Sequence, residues 1–194
     1  FATLHLGLNN PDRALSLVVA GCGYGAGEDT RKQFQRETME AAYRIEHDTM
    51  EVFGAVYALG PTRVQYQNKD PKGWKAFETQ LKEHSSMGSA HTMRGVQRRR
   101  PSLYDLEEKM LQHTVPTLIL NGDEDEPCLE VGLFMKRTIP SSALALLPRT
   151  GHTSNLEEPA LFNLLCETFF NQVESGRWHL RDPRSITSGI LLKT

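Results

Sequence analysis

Two loops of the sequence carry side chains that could work together as an acid and a base. The first holds four consecutive acids, residues 123–126, which follow Asn121 and Gly122 at the end of a short apolar run. Because adjacent carboxylates repel one another, at least one of these acids is expected to have a functional partner. The second loop holds His152 directly after Gly151. A carboxylate beside an imidazole fixes the tautomer of the ring and stabilises the imidazolium that forms when the ring takes up a proton.

The position of the two loops in the chain predicts that they meet at one edge of a sheet. Residues 116–120 and 143–147 are short runs of apolar or β-branched residues typical of buried strands, and a helical pattern over residues 129–137 joins them. A right-handed β-α-β crossover returns the chain to a neighbouring strand of the same direction. Since the carboxyl ends of parallel strands share an edge, Asp125 and His152 are expected to lie close together.

The rest of the chain extends this alternation of strands and helices. Residues 1–8 have helical spacing, residues 14–20 form a further apolar run, and a helix with a wide apolar face follows Pro159. Strands that alternate with helices favour a parallel sheet. The sequence therefore predicts an α/β fold with helices on both faces of a parallel sheet.

A long helical stretch interrupts the alternation between the first two strands. Helices are expected from about residue 29 past residue 46, over residues 50–59, near Trp74, and over residues 85–96, with no strand-like run among them. Three consecutive arginines, residues 98–100, close this stretch and are interpreted as a solvated turn.

These patterns predict four units along the chain. Residues 1–27 are a first core segment, and residues 28–101 are an inserted helical cap. Residues 102–175 are a second core segment with the two loops, and residues 176–194 are a tail.

Composition excludes several classes of partner. The 194 residues, 39% of them hydrophobic, suffice for one domain with a real core, and the net charge of −2 gives no reason to expect binding to nucleic acid or to an anionic membrane. No apolar run has membrane-spanning length. The three cysteines, Cys22, Cys128 and Cys166, have no metal-ligand spacing. They predict reduced, largely buried thiols in a cytoplasmic protein.

Residues 115–127 together with residues 150–159 resemble the C-terminal half of the α/β-hydrolase fold family. In that family the catalytic acid lies in a G-x-x-D-x-x-x-P-like loop, and the catalytic histidine lies in a Gly-His pair before the last helix. The resemblance implies that Asp125 is the acid and His152 the histidine. Pro127 stands only two residues after Asp125, which leaves Asp123 open as an alternative acid. Apart from that alternative, Asp123, Glu124 and Glu126 are interpreted as solvated or capping acids.

The start of the chain is similar to the same family. Residues 1–13 resemble the helix that follows the nucleophile elbow, whose G-x-S-x-G serine would lie roughly four residues before Phe1. No serine of this chain stands between glycines at that spacing. The resemblance implies a bacterial-type hydrolase that uses a Ser-His-Asp triad on an ester, a lactone or a similar carbonyl substrate, with a small molecule as its partner and no metal or organic cofactor. We expect this chain to be a fragment of such a protein, inactive by itself.

Two other functions remain open at this point. A protein with the same fold could bind ligands without catalysis if its nucleophile were lost. Alternatively, Gly21, Gly23 and Ala26 match the dinucleotide-binding pattern G-x-G-x-x-A after a strand. That pattern needs a helix followed by a second strand, and the predicted helical stretch argues against it.

Overall fold

The computed structural model of the chain describes residues 1–186 and 190. Its sheet has three parallel strands in the order β1-β2-β3: Leu17–Ala20, Thr117–Gly122 and Ser142–Leu147. Every residue of β2 is buried, as expected for the central strand of a covered sheet. The predicted parallel sheet is confirmed.

Helices cover both faces of the sheet because successive side chains of β2 point in opposite directions. Ile119 packs into a cluster with Leu4 and Met135, which lie on helices α1 (Ala2–Asn9) and α7 (Glu126–Thr138). Leu118 and Leu120 pack on the other face against helix α9 (Pro159–Glu174). This arrangement explains why the three central residues of the strand, 118–120, are all apolar rather than alternating with polar ones.

The chain between β1 and β2 is helical. Its α-helices are α2 (Glu28–Ala58), α3 (Val64–Lys69), α4 (Pro71–Lys82), α5 (Ser86–Thr92) and α6 (Glu107–Leu111). Shorter 3₁₀ turns at Pro61–Arg63 and Tyr104–Leu106 and a π-turn at Met93–Gln97 link them. Residues 28–111 are all described and contain no strand, as the sequence predicted.

This insertion has a small core of its own. Ala42, Ile45, Met50, Phe53 and Ala90 form a cluster separate from the cores on the two faces of the sheet. Helix α2 breaks within its length, at Thr49, where φ is +70°. The backbone N–H of Met50, just after the break, donates to Ser86 Oγ over 2.9 Å, so a side chain replaces the lost helical partner.

Three local features differ from the sequence-based expectation. Helix α3 and the short helix α8 (Ser154–Glu157) were not predicted, since each is too short to show a period. Helix α7 begins at Glu126, three residues before the predicted start, and Pro127 fits its first turn.

The predicted tail is described only in part. It includes a 3₁₀ turn at Pro183–Ile186, whereas residues 187–189 and 191–194 lie outside the described residues. The four-unit division of the chain stays a prediction. Within the described residues, none of the helices combines the length and the apolar character that a membrane span requires.

Candidate active site

The structure brings Asp125 and His152 into direct contact. His152 Nδ1 lies 2.8 Å from Asp125 Oδ2, at the carboxyl ends of β2 and β3. The Asp125 side chain is 1% exposed and that of His152 is 28% exposed. With a proton on Nδ1 donated to the carboxylate, the Nε2 atom is left as a proton acceptor. This is the arrangement that an oriented general base requires.

Gly122 explains how the two loops come so close. A Cβ atom at this position would lie 2.0 Å from the Thr150 carbonyl oxygen and 2.3 Å from that of Gly151. No other residue fits, because both obstacles are backbone atoms. The Asn-Gly pair therefore ends the strand and also lets the backbones of the two loops touch.

Asp123 binds the backbone of the histidine loop and not the imidazole. Its Oδ1 accepts a hydrogen bond from the Thr150 backbone N–H over 3.1 Å, and the Glu124 N–H donates to the Thr150 carbonyl over 2.9 Å. These bonds continue the pairing of β2 and β3 into the loops. The geometry favours Asp125 over Asp123 as the partner of the histidine, and Glu126 lies exposed in the first turn of α7.

Glu157 fixes the loop on both sides of His152. Its carboxylate accepts hydrogen bonds from the Gly151 N–H (2.6 Å), the Thr153 N–H (3.0 Å) and the Thr153 hydroxyl (2.8 Å). The side chain is buried. Sequence reasoning missed this residue, although the Ser154-x-x-Glu157 spacing resembles a capping box.

Replacing Glu157 by glutamine is expected to lower the free energy of unfolding by about 1–3 kcal/mol, because the buried donors lose a charged acceptor. Urea denaturation measures this change. Glu167→Gln on the exposed side of α9 serves as the matched control and should shift the free energy by less than about 0.5 kcal/mol. Equal effects of the two substitutions would contradict the anchoring role of Glu157.

Asn121 ties the site to the loop after β1. Its Oδ1 accepts from the Gly21 N–H (3.1 Å) and its Nδ2 donates to the Cys128 carbonyl (2.9 Å). Gly21 has φ +55°, and a Cβ there would lie 3.1 Å from His152 Cε1. The glycine loop therefore packs against the imidazole. Residues 21–116 are all described and none of them lies in a strand, so the structure does not support the dinucleotide-binding alternative.

Cys128 lies next to the pair. Ligand atoms of Asp125, Cys128 and His152 all lie within 4.8 Å of one another, a grouping that could hold a metal ion. Burial, and next the charge of Asp125, raise the pKa of the Cys128 thiol, and a protonated thiol is a poor ligand. The grouping and the protonated thiol point in opposite directions, so the absence of a metal stays a prediction.

The inserted helices contact both loops. Gln65 on α3 donates to the carboxylate of Glu124, and Lys69 Nζ lies 2.5 Å from Glu158 Oε1 and 3.4 Å from Thr150 Oγ1. These contacts place α3 above the edge of the sheet that carries Asp125 and His152.

A cavity of about 330 Å³ opens beside His152. Aromatic side chains of the insertion, including Phe34, Phe53 and Tyr57, line it together with Arg100. The interpretation of residues 98–100 as a solvated turn is therefore wrong for Arg100, which is half-buried, whereas Arg98 and Arg99 are exposed. Only the fold could show which of the three arginines turns inward.

Comparison with known proteins gives relatives of low sequence identity. No family model matches the chain. It is 24% identical over 166 residues to a putative 2-succinyl-6-hydroxy-2,4-cyclohexadiene-1-carboxylate synthase of Bacillus subtilis (strain 168), a match covering 84% of this chain and 59% of that protein.

Solved structures give a stronger likeness. MenH from S. aureus superposes with a TM-score of 0.80 at 20% identity, covering 89% of this chain and 64% of that one. An α/β hydrolase from a Medee basin deep-sea metagenome library superposes with a TM-score of 0.65 at 17% identity, covering 87% and 60%. The chain thus spans less than two thirds of the length of each of these proteins.

Proposed function

We propose that this chain, which has the α/β-hydrolase fold, carries the acid and the base of a Ser-His-Asp triad in a hydrolase of small molecules. The observation that carries the proposal is the 2.8 Å contact between His152 Nδ1 and the buried carboxylate of Asp125. It is supported by the cavity that His152 lines, because a general base must be within reach of a bound substrate.

In the proposed reaction, His152 Nε2 accepts the proton of a serine hydroxyl while the serine oxygen attacks the carbonyl carbon of an ester, a lactone or a similar substrate. Asp125 holds the imidazole in the required tautomer and stabilises its protonated form. His152 then delivers the proton to the leaving group, and a water molecule, activated by the same imidazole, hydrolyses the acyl-serine. The scheme needs no metal or organic cofactor.

The serine is proposed to lie upstream of Phe1 in a longer protein. No serine of this chain has the G-x-S-x-G context that a nucleophile elbow requires. Backbone N–H groups of the oxyanion hole would come from the same upstream region. On this proposal the 194-residue chain alone has no hydrolase activity.

A panel of p-nitrophenyl esters with acyl chains of increasing length tests the function of the longer protein. We expect hydrolysis of the short esters and covalent labelling of one serine by a fluorophosphonate, with activity lost as labelling proceeds. The 194-residue chain is the control and should show neither. A longer protein that neither hydrolyses the panel nor reacts with the fluorophosphonate would favour the non-catalytic binding protein instead.

A further inference from the structure

We propose that the cavity beside His152 recognises an organic carboxylate, and that Arg100 is the residue that binds it. As a statement about the substrate this inference rests on the proposed function, whereas the binding of the anion does not depend on catalysis. Arg100 and His152 line the same cavity, so one ligand can reach both side chains.

The guanidinium of Arg100 is held in place by its surroundings. Its Nη2 donates to the Tyr24 carbonyl over 2.6 Å, and its Nη1 donates to the side-chain oxygen of Gln97. The group lies 3.7 Å from the centroid of the Phe1 ring and 5.0 Å from that of Phe34. A planar donor fixed in this way loses little further freedom when it binds a carboxylate.

Within the part of the chain that the structure describes, the positive charge of Arg100 has no acidic partner. Among residues 1–186 and 190, no carboxylate oxygen lies within 4.0 Å of its guanidinium, and its buried Nε has no hydrogen-bond partner there. A second guanidinium, that of Arg31, donates to the Arg100 carbonyl. Burial, and to a smaller extent the charge of Arg31, lower the pKa of Arg100. A half-buried cation without a counterion is costly, and a bound anion would offset that cost.

The lining selects the kind of anion. Phe34, Phe53 and Tyr57 supply apolar surface, which suits an organic body rather than an inorganic ion. Glu37 also lines the cavity, and its carboxylate accepts hydrogen bonds from Gln33 (2.7 Å) and from the Tyr24 hydroxyl (3.4 Å). Its negative charge disfavours a doubly charged group. A carboxylate, with one charge, therefore fits better than a phosphate monoester.

Titration calorimetry of the longer protein at pH 7.5 tests the site. The three probes have similar shapes: phenylacetate, its neutral isostere phenylacetamide, and phenyl phosphate. We expect phenylacetate to bind about tenfold or more tightly than phenylacetamide, as one charge-assisted guanidinium contact allows, and phenyl phosphate to bind more weakly than phenylacetate. In Arg100→Gln the advantage of the acid over the amide should vanish. Arg99→Gln, an equal change of charge at an exposed neighbour, should keep it.

Arg100→Lys is a second variant that tests the proposal if Arg100→Gln fails to fold. Lysine keeps the charge but lacks the planar fork, so the preference for phenylacetate should be reduced and still present. Equal binding of acid and amide, no binding of the acid, or a preference that survives in Arg100→Gln would each overturn the proposal; tighter binding of phenyl phosphate would overturn its choice of carboxylate. In the longer protein, an anion preference without any ester hydrolysis would reject the proposed enzyme and keep the anion site.

Discussion

The His152→Ala variant of the longer protein is expected to lose ester hydrolysis almost completely, with kcat lower by about 10⁴–10⁶-fold and KM little changed. Without the imidazole, no group of the proposed triad can take the proton of the serine. The buried carboxylate of Asp125 remains, yet it reaches the reacting atoms only through the ring, because its Oδ2 lies 2.8 Å from His152 Nδ1. Steady-state kinetics on the most reactive ester of the panel measures the loss.

His179→Ala is the matched control, since His179 is exposed, and its kcat should stay within about twofold of the parent protein. Asp125→Asn should lower kcat by about 10³–10⁴-fold, because the amide can hold the wrong tautomer of the imidazole. A His152→Ala variant that keeps more than about a tenth of the parent kcat would refute the role of His152.

The second large effect is expected from Gly122→Ala. Its new methyl group would meet the backbone oxygens of Thr150 and Gly151 at 2.0 and 2.3 Å, and neither can move without displacing the loop that carries His152. We expect the free energy of unfolding to fall by about 3 kcal/mol or more, at the upper end of the cost of overpacking. Urea denaturation followed by circular dichroism measures it. Hydrolysis should fall as well, because the substitution separates Asp125 from His152.

Gly95→Ala is the control for this experiment. A Cβ at Gly95 meets no atom within 4 Å, and the residue lies in a helical turn, so alanine there should be neutral or stabilising by up to about 1 kcal/mol. If the two alanine variants were equally stable, the close approach of the two loops would not be the reason for a glycine at position 122.

Part of the site could be predicted because it depends on rules that act along the chain. An apolar run of strand length, an Asn-Gly stop and a helix between two such runs predict a parallel pair of strands with adjacent loops. The contact between Asp125 and His152 follows from that topology, and it is present. The likeness of the sequence to α/β-hydrolases gave the same fold as the structural comparison.

Other residues of the site could not be found in this way, since their partners are distant in the chain. Asn121 accepts from Gly21, 100 positions away. Residues 98–100 are all arginines, and nothing local distinguishes Arg100, which lies over Phe1 and lines the cavity. Glu157 lies only five residues from His152, but its carboxylate can accept the backbone hydrogen bonds of the loop only when the loop has folded around it.

The sequence by itself predicted the class of fold and the strand edge at which His152 meets an acidic loop, because the period of apolar residues and the handedness of crossovers constrain the chain wherever such a pattern occurs. The preference for Asp125 within that loop came from the resemblance to α/β-hydrolases. Only the tertiary structure decided that Asp123 binds the backbone, that Gly122 permits the approach of the two loops, and that Arg100 turns into the cavity. These outcomes depend on packing between segments far apart in the chain, where a difference of about one ångström decides whether a contact forms or a clash occurs.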